Sequence, residues 1–151
     1  MKLFRAAVSA IITNANNEIL FVSKNGTNNW QVITGWVEDE TIDKAILREI
    51  KEELNLDDVE LIDIIDTHTF QYNENKIIST FYLVKYNSGE IKPGDDINNY
   101  NFKWFNSDEI KKIQIICPIQ KEIIEKALFY IKMYKKDKYE EYSFYKYKWL
   151  N

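Results

Sequence analysis

One amphipathic helix set between strand-like runs constrains this chain more than any other feature. Residues 41–56, TIDKAILREIKEELNL, open on Thr41, a residue type that caps helix N-termini, and keep helical spacing to about Leu54. Placed at about 100° per residue, Ile46, Leu47, Ile50 and Leu54 make one contiguous apolar face, which must be buried against another layer. The flanking runs supply that layer. LFRAAVSAIIT (3–13) and EILFVSK (18–24) are rich in β-branched and aromatic residues and flank the turn-forming NANN, so they read as a hairpin. After the polar loop NGTNN, WQVITGWVE reads as two short strands meeting at Gly35. VELIDIIDTHTFQY and KIISTFYLVKY read as a second hairpin about NEN, and residues 87–101 as a loop. A short strand NFKWF and a turn NSDE then lead to a final helix over roughly 119–135, where Ile123, Ile124, Ala127, Leu128 and Ile131 keep helical spacing. The order predicts an α/β fold with a mixed sheet and helices packed against it.

Composition bounds the rest. A chain of 151 residues, 45% hydrophobic, suits one domain over 1–151, with 136–151 an aromatic-rich tail. Twenty basic against twenty-four acidic residues leave a net charge of −4, so no basic field draws the chain to nucleic acid, which is not the expected partner. Small anionic substrates then need local positive charge or a metal. The single cysteine, Cys117, forms no intramolecular disulfide, and MKLFRAAVSAIIT lacks the pattern of a secretory signal. No window approaches the length of a membrane-spanning apolar run. A soluble, cytoplasmic protein is expected.

The polar side of the helix carries the chemistry. Relative to Glu49, Glu52 lies near −60° and Glu53 near +40°, so three carboxylates share an arc of about 100° bordering the apolar face. Glu49 and Glu53 are an i, i+4 like-charge pair, which costs a few tenths of a kcal/mol in isolation, and Arg48 offsets only part of this through Glu52. EIKEE alone fits a solvated surface helix. Its surroundings change that reading, because Gly35 precedes the ordered set Glu40-x7-Arg48-Glu49-Ile50-x-Glu52-Glu53. This stretch resembles the Nudix box, G-x5-E-x7-R-E-U-x-E-E-x-G-U, with U aliphatic. It departs twice: the loop WVED after Gly35 is one residue shorter than the family's, and Asn55 stands where the pattern has glycine. Asn is the next best residue for a left-handed helix cap.

The resemblance implies a Nudix fold, an α/β/α sandwich around a central mixed sheet. It implies an enzyme that hydrolyses a nucleoside-diphosphate-linked substrate with Mg²⁺, or Mn²⁺ in its place. Glu49, Glu52 and Glu53 would hold the metal, with the Gly35 carbonyl as a further ligand, and Arg48 and Glu40 would orient the set. Glu49 or Glu53 would accept the proton of the attacking water. W30-Q31-x-x-T34-G35-x-V37-E38 and F102-K103-W104-F105 resemble the branch acting on dihydroneopterin triphosphate and dATP, with Arg5-x-x-Val8-Ser9 compatible. On that match Arg5, Lys24 and Thr34 face phosphate and substrate. The loop before the late strand offers Asp95 and Asp96 as an outer acidic ligand, with Asn98 two positions on.

Other residues have plainer readings. His68 reads as structural and Cys117 as an inert thiol before Pro118. Trp30, Trp36 and Tyr72 can stack on a base or pterin, and packing explains each equally well. The tail suits packing on its own domain or on a second subunit of a homodimer, ahead of a contact with RNA. The expected function is cleavage of a (deoxy)nucleoside or pterin triphosphate to monophosphate and pyrophosphate. Hydrolysis of ADP-ribose, a nucleotide sugar or a dinucleoside polyphosphate is the alternative, and a Nudix-fold nucleotide-binding regulator without turnover is the rival of another class.

Overall fold

The computed structural model describes residues 3–24 and 26–134, and the aromatic tail lies outside the described residues. In chain order the elements are β1 (Phe4–Thr13), β2 (Ile19–Lys24), β3 (Asn29–Gln31), β4 (Ile33–Trp36), α1 (Ile42–Leu54), β5 (Val59–Tyr72), β6 (Asn75–Tyr86), β7 (Tyr100–Phe105), α2 (Ser107–Ile110), β8 (Gln114–Ile115) and α3 (Pro118–Tyr134). All the strands join one mixed sheet. β1 runs parallel to β6 along its whole length, from Phe4↔Lys76 to Thr13↔Lys85. Its other edge is divided, pairing antiparallel with β4 through Ala7–Ala10 and with β2 at Thr13. β2 continues the sheet to β7 and β3, and β5 hydrogen-bonds antiparallel to β6 at the far edge.

Burial on both faces explains why β1 reads as a nearly unbroken apolar run. Val8, Ala10 and Ile12 pack with Ile46, Ile50 and Leu54 of α1, while Ile11 packs with Phe81, Ile123, Ile124 and Ala127 on the α3 side. Helix, sheet and helix form the expected α/β/α sandwich. α1 starts and stops where its residues direct: the Thr41 side chain accepts from the Lys44 N–H, and Asn55 takes the left-handed conformation at φ 56° with its N–H donated to the Lys51 carbonyl.

Three local expectations are corrected. The two short strands of WQVITGWVE separate at Val32, not Gly35, because β3 pairs with β2 and β8 while β4 turns to β1. The 87–101 loop contains a 3₁₀ turn at Asp95–Ile97, and its last two residues already belong to β7. NSDE is not a plain turn: Asn106 and Glu109 form a reciprocal capping box that starts α2. β8, two residues long, is too short to leave a period in the sequence.

Candidate active site

Strand alternation decides which side chains reach the site. Ala7 and Ser9 point to the α3 face, and the register places Trp36 and Thr34 opposite them. Arg5↔Ile77 and Ile77↔Phe70 extend the row across β6 and β5. Gly35 lies between Thr34 and Trp36 and therefore turns toward α1, where Glu49 packs against it with no room for a Cβ. At this boundary opens a cleft of about 610 Å³. Glu49, Glu52, Glu53 and Arg48 line it from α1, Thr34, Gly35 and Trp36 from β4, Phe70 and Tyr72 from β5, and Cys117 and Gln120 from the start of α3.

A second acidic element is fastened to the end of the helix. The N–H groups of Lys92 and Gly94 donate to the Leu54 and Glu53 carbonyls, each at 3.0 Å, satisfying acceptors that a helix C-terminus leaves free. Gly94 allows this contact, since a Cβ there would stand 2.0 Å from the Glu52 carbonyl oxygen. The docked loop brings Asp96 into the cleft.

Arg48 organises the acids. Its Nε donates to both Glu40 carboxylate oxygens at 3.0 and 3.2 Å, and Nη2 donates to Glu40 at 2.6 Å and to the Trp36 carbonyl at 2.8 Å. Nη1 donates to Glu49 at 2.9 Å and Glu52 at 3.0 Å. The four-residue loop WVED thus still delivers Glu40 to Arg48. The hydrogen bond with Arg48 is the main cause that holds the Glu40 carboxyl below its usual range. Hydrogen bonding to Glu40, foremost, also keeps Arg48 firmly protonated.

Glu49 and Glu53 shift in the same direction and differ in their surroundings. Burial pushes the Glu49 carboxyl up against the pull of Arg48. Burial also pushes Glu53 up, and the negative charges of Glu49, Asp96 and Glu52 add to it. Among the described residues no Lys, Arg or His forms a salt bridge with Glu53. Clustered carboxylate oxygens on a scaffolded cleft are the donor set a hard divalent cation takes. Among the described residues, no three acidic, His or Cys side chains are drawn close enough to enclose an ion as they stand. Arg48 holds one oxygen of Glu49 and one of Glu52. The donor chemistry fits a divalent cation.

Residues 3–127 match the NUDIX domain family. The chain belongs to the Nudix hydrolase family. Over 62 residues it is 39% identical to an RNA pyrophosphohydrolase of Tolumonas auensis, which covers 39% of this chain and 36% of that protein. The chain thus spans about a third of that relative's length. In fold it resembles a C. elegans Ap4A hydrolase, with a TM-score of 0.69, 18% identity, and 85% of this chain and 98% of that one covered. It also resembles the E. coli dihydroneopterin triphosphate pyrophosphohydrolase, with a TM-score of 0.67, 19% identity, and coverage of 85% and 99%. These likenesses establish the Nudix fold without choosing a branch.

The structure brings Arg48, Glu49, Glu52, Glu53 and Gly35 together in the lining of the Nudix cleft, and Thr34 lines it with its hydroxyl 2.9 Å from that of Ser9, whereas Glu40 is not among the lining residues and joins the set through Arg48. Arg5 is not among the lining residues but lies over the Trp36 ring, 3.8 Å from its centre. Lys24 ends β2 opposite Tyr100 and is likewise not part of the lining. Trp36 and Tyr72 face the cleft, whereas Trp30 packs edge-on against Phe105 at 4.8 Å. His68 sits 3.3 Å from Asp66, away from the lining. Sequence reasoning missed Gln120 and Phe70, and met Gln31 only as part of a motif, with no role assigned. Only Gln120 left a signal: it occupies the stripe Gln120, Ile123/Ile124, Ala127, Ile131, where an amide among apolar residues must be buried. No helix among the described residues is long and apolar enough to cross a membrane.

Proposed function

We propose that this Nudix protein hydrolyses a (deoxy)nucleoside or pterin triphosphate to a monophosphate and pyrophosphate. The observation that carries the reading is a single cleft lined both by Glu49, Glu52, Glu53 and Asp96 and by the aromatic side chains Trp36, Phe70 and Tyr72. The acids suit a metal-neutralised diphosphate and the rings suit a planar heterocycle.

Glu49, Glu52 and Glu53, with the Gly35 carbonyl, would hold Mg²⁺ or Mn²⁺. Such a cation, when bound, offsets phosphate charge and acidifies water. Arg48 keeps Glu49 and Glu52 oriented and ties them to the backbone at Trp36. Among the described residues no Lys, Arg or His pairs with Glu53, whereas Arg48 holds an oxygen of Glu49, so Glu53 is the freer proton acceptor of the two candidates. In the proposed step, water oxygen bonds to phosphorus, the bond to the bridging oxygen breaks, the leaving phosphate takes that electron pair, and the water proton passes to the Glu53 carboxylate.

The RNA pyrophosphohydrolase relative favours a second reading, in which the triphosphate is an RNA 5′ end. A Mg²⁺-dependent hydrolysis panel with product analysis separates the readings. It comprises nucleoside triphosphates, dihydroneopterin triphosphate, 5′-triphosphorylated RNA, ADP-ribose, nucleotide sugars and a dinucleoside polyphosphate. Pyrophosphate from free triphosphates supports the proposal, and turnover of RNA alone selects the second reading. Turnover confined to ADP-ribose, sugars or dinucleotides discards both, and tight binding without turnover points to a regulator.

A further inference from the structure

Gln120 is 7% exposed, yet it lines the cleft. Its Oε1 accepts the Val32 backbone N–H at 3.3 Å, at the point where the chain leaves β3 for β4. A backbone N–H can only donate, so this contact fixes the amide orientation and leaves Nε2, a donor, as the free end. Among the described residues nothing accepts from Nε2. The buried, unpaired side-chain polar atom found there is Thr13 Oγ1 alone, so Nε2 is not sealed from solvent, and the space it adjoins is the cleft. Turning the amide over would strand the Val32 N–H in the interior, which is expensive.

The neighbours of Gln120 say what kind of group meets that donor. Ala7, Ile77, Phe70 and Tyr72 lie in one row on the α3 face of the sheet and line the same cleft. They offer a flat, apolar surface suited to a planar ring. We infer that Gln120 is a specificity-determining residue whose pinned Nε2–H donates to a carbonyl oxygen on the substrate's ring, so that oxo-substituted heterocycles are taken over amino-substituted ones. The inference rests on the triphosphate reading above and narrows it to guanine-like or pterin-like rings. Guanine presents O6 as an acceptor where adenine presents an N6 amino donor. A site built around a fixed donor rejects a ring that brings a second donor, because both then lose a partner.

The test compares GTP with ATP by kcat/KM, and by binding of their non-hydrolysable analogues, in the wild type, Gln120→Glu and Gln120→Met, each checked for folding by thermal melting. Glu keeps an oxygen for the Val32 N–H and turns the free end into an acceptor. The wild type should prefer GTP at least about tenfold. Gln120→Glu should bring the ratio to unity or invert it in both kinetics and binding, and Gln120→Met should flatten it. Equal use of both nucleotides by the wild type, or a ratio that survives in Gln120→Glu, overturns the inference while leaving the hydrolase reading intact. Neither hydrolysis nor binding of any triphosphate by the wild type removes the reading beneath it, and the inference with it.

Discussion

The Glu49 carboxylate rests on the Cα of Gly35: a Cβ added to Gly35 would stand 1.9 Å from the carboxyl carbon and 2.2 and 2.3 Å from its two oxygens. Glu49 is 8% exposed and one of its oxygens is held by Arg48, so its retreat from an added Cβ runs into the cleft and away from that contact. Gly35→Ala therefore moves a buried acid of the proposed metal site. Turnover should fall by at least about tenfold, since small misplacements of positioned groups are costly, and overpacking should cost about 1–3 kcal/mol of stability. Steady-state kinetics beside denaturant melts check this. Full activity in Gly35→Ala would show that Glu49 is not needed where it stands. The variant should also be less than additive with Glu49→Gln, as expected of residues in contact.

Glu53 links activity to pH-dependent stability. Its carboxyl is pushed up by burial and by the charges of Glu49, Asp96 and Glu52, so the folded state binds its proton more tightly than the unfolded chain. Stability contributed at this position therefore falls as the pH rises from the ordinary glutamate value through the raised one, and stays lowered above it. Glu53→Gln removes that fall. Without divalent cation the variant should melt higher than the wild type near neutral pH, by on the order of 2 °C, and the gap should close in acid. Its turnover should drop at least about 10²-fold. A variant that keeps near-normal turnover places the proton acceptor elsewhere.

What the sequence made legible follows the range of the forces involved. Thr41 and Asn55 are settled by contacts within one helix, and local spacing exposes them, whereas the buried face is turned from the expected one: Ala45 is buried, Leu47 is 40% exposed, and Glu49 lies inside the buried arc instead of at its border. The Arg48–Glu40 pair is also written locally, and its geometry survives the shortened WVED loop. By contrast, the break at Val32 is set by which strand each half of WQVITGWVE pairs with. Asp96 reaches Glu53 only because Lys92 and Gly94 bond to the carbonyls ending α1. Gln120 bonds a backbone group 88 positions away, a contact that no short window contains. Lys24 and Arg5 carry charge in the sequence but no signal of direction, and neither lines the cleft.

Arg48 should resist its conservative replacement. One guanidinium holds Glu40 by a fork, Glu49 and Glu52 by Nη1, and the Trp36 carbonyl by Nη2. A lysine ammonium has no planar fork with which to span these partners. Arg48→Lys should lower turnover at least about tenfold and cost about 1–3 kcal/mol through the acids and carbonyl left without their donor. The measurement is a double-mutant cycle with Glu40→Gln, in which the pair should couple. Strict additivity would mean that Glu40 does not act through Arg48.

The Asp66–Lys126 pair predicts a pH response in stability alone. Lys126 of α3 donates to the Asp66 carboxylate beside a register shift of β5, fastening the helix to the sheet edge. Lys126 is the main cause that holds Asp66 below the usual aspartate range, with the Thr67 N–H and His68 adding to it. The folded state thus releases this proton more readily than the unfolded chain. The stability it contributes is present above the ordinary aspartate value and is lost as the pH falls through the lowered one. Lys126→Met should melt below the wild type near neutral pH, with the difference closing in acid. The difference should also shrink in 1 M salt, where the screening length is about 3 Å. Neither residue lines the cleft, so kcat/KM should stay within about twofold of the wild type, as for surface changes remote from a site. Melting curves across pH at two salt concentrations decide it: a wild-type advantage that persists unchanged into acid would place the contribution of Lys126 in packing of its alkyl stem instead of in its charge.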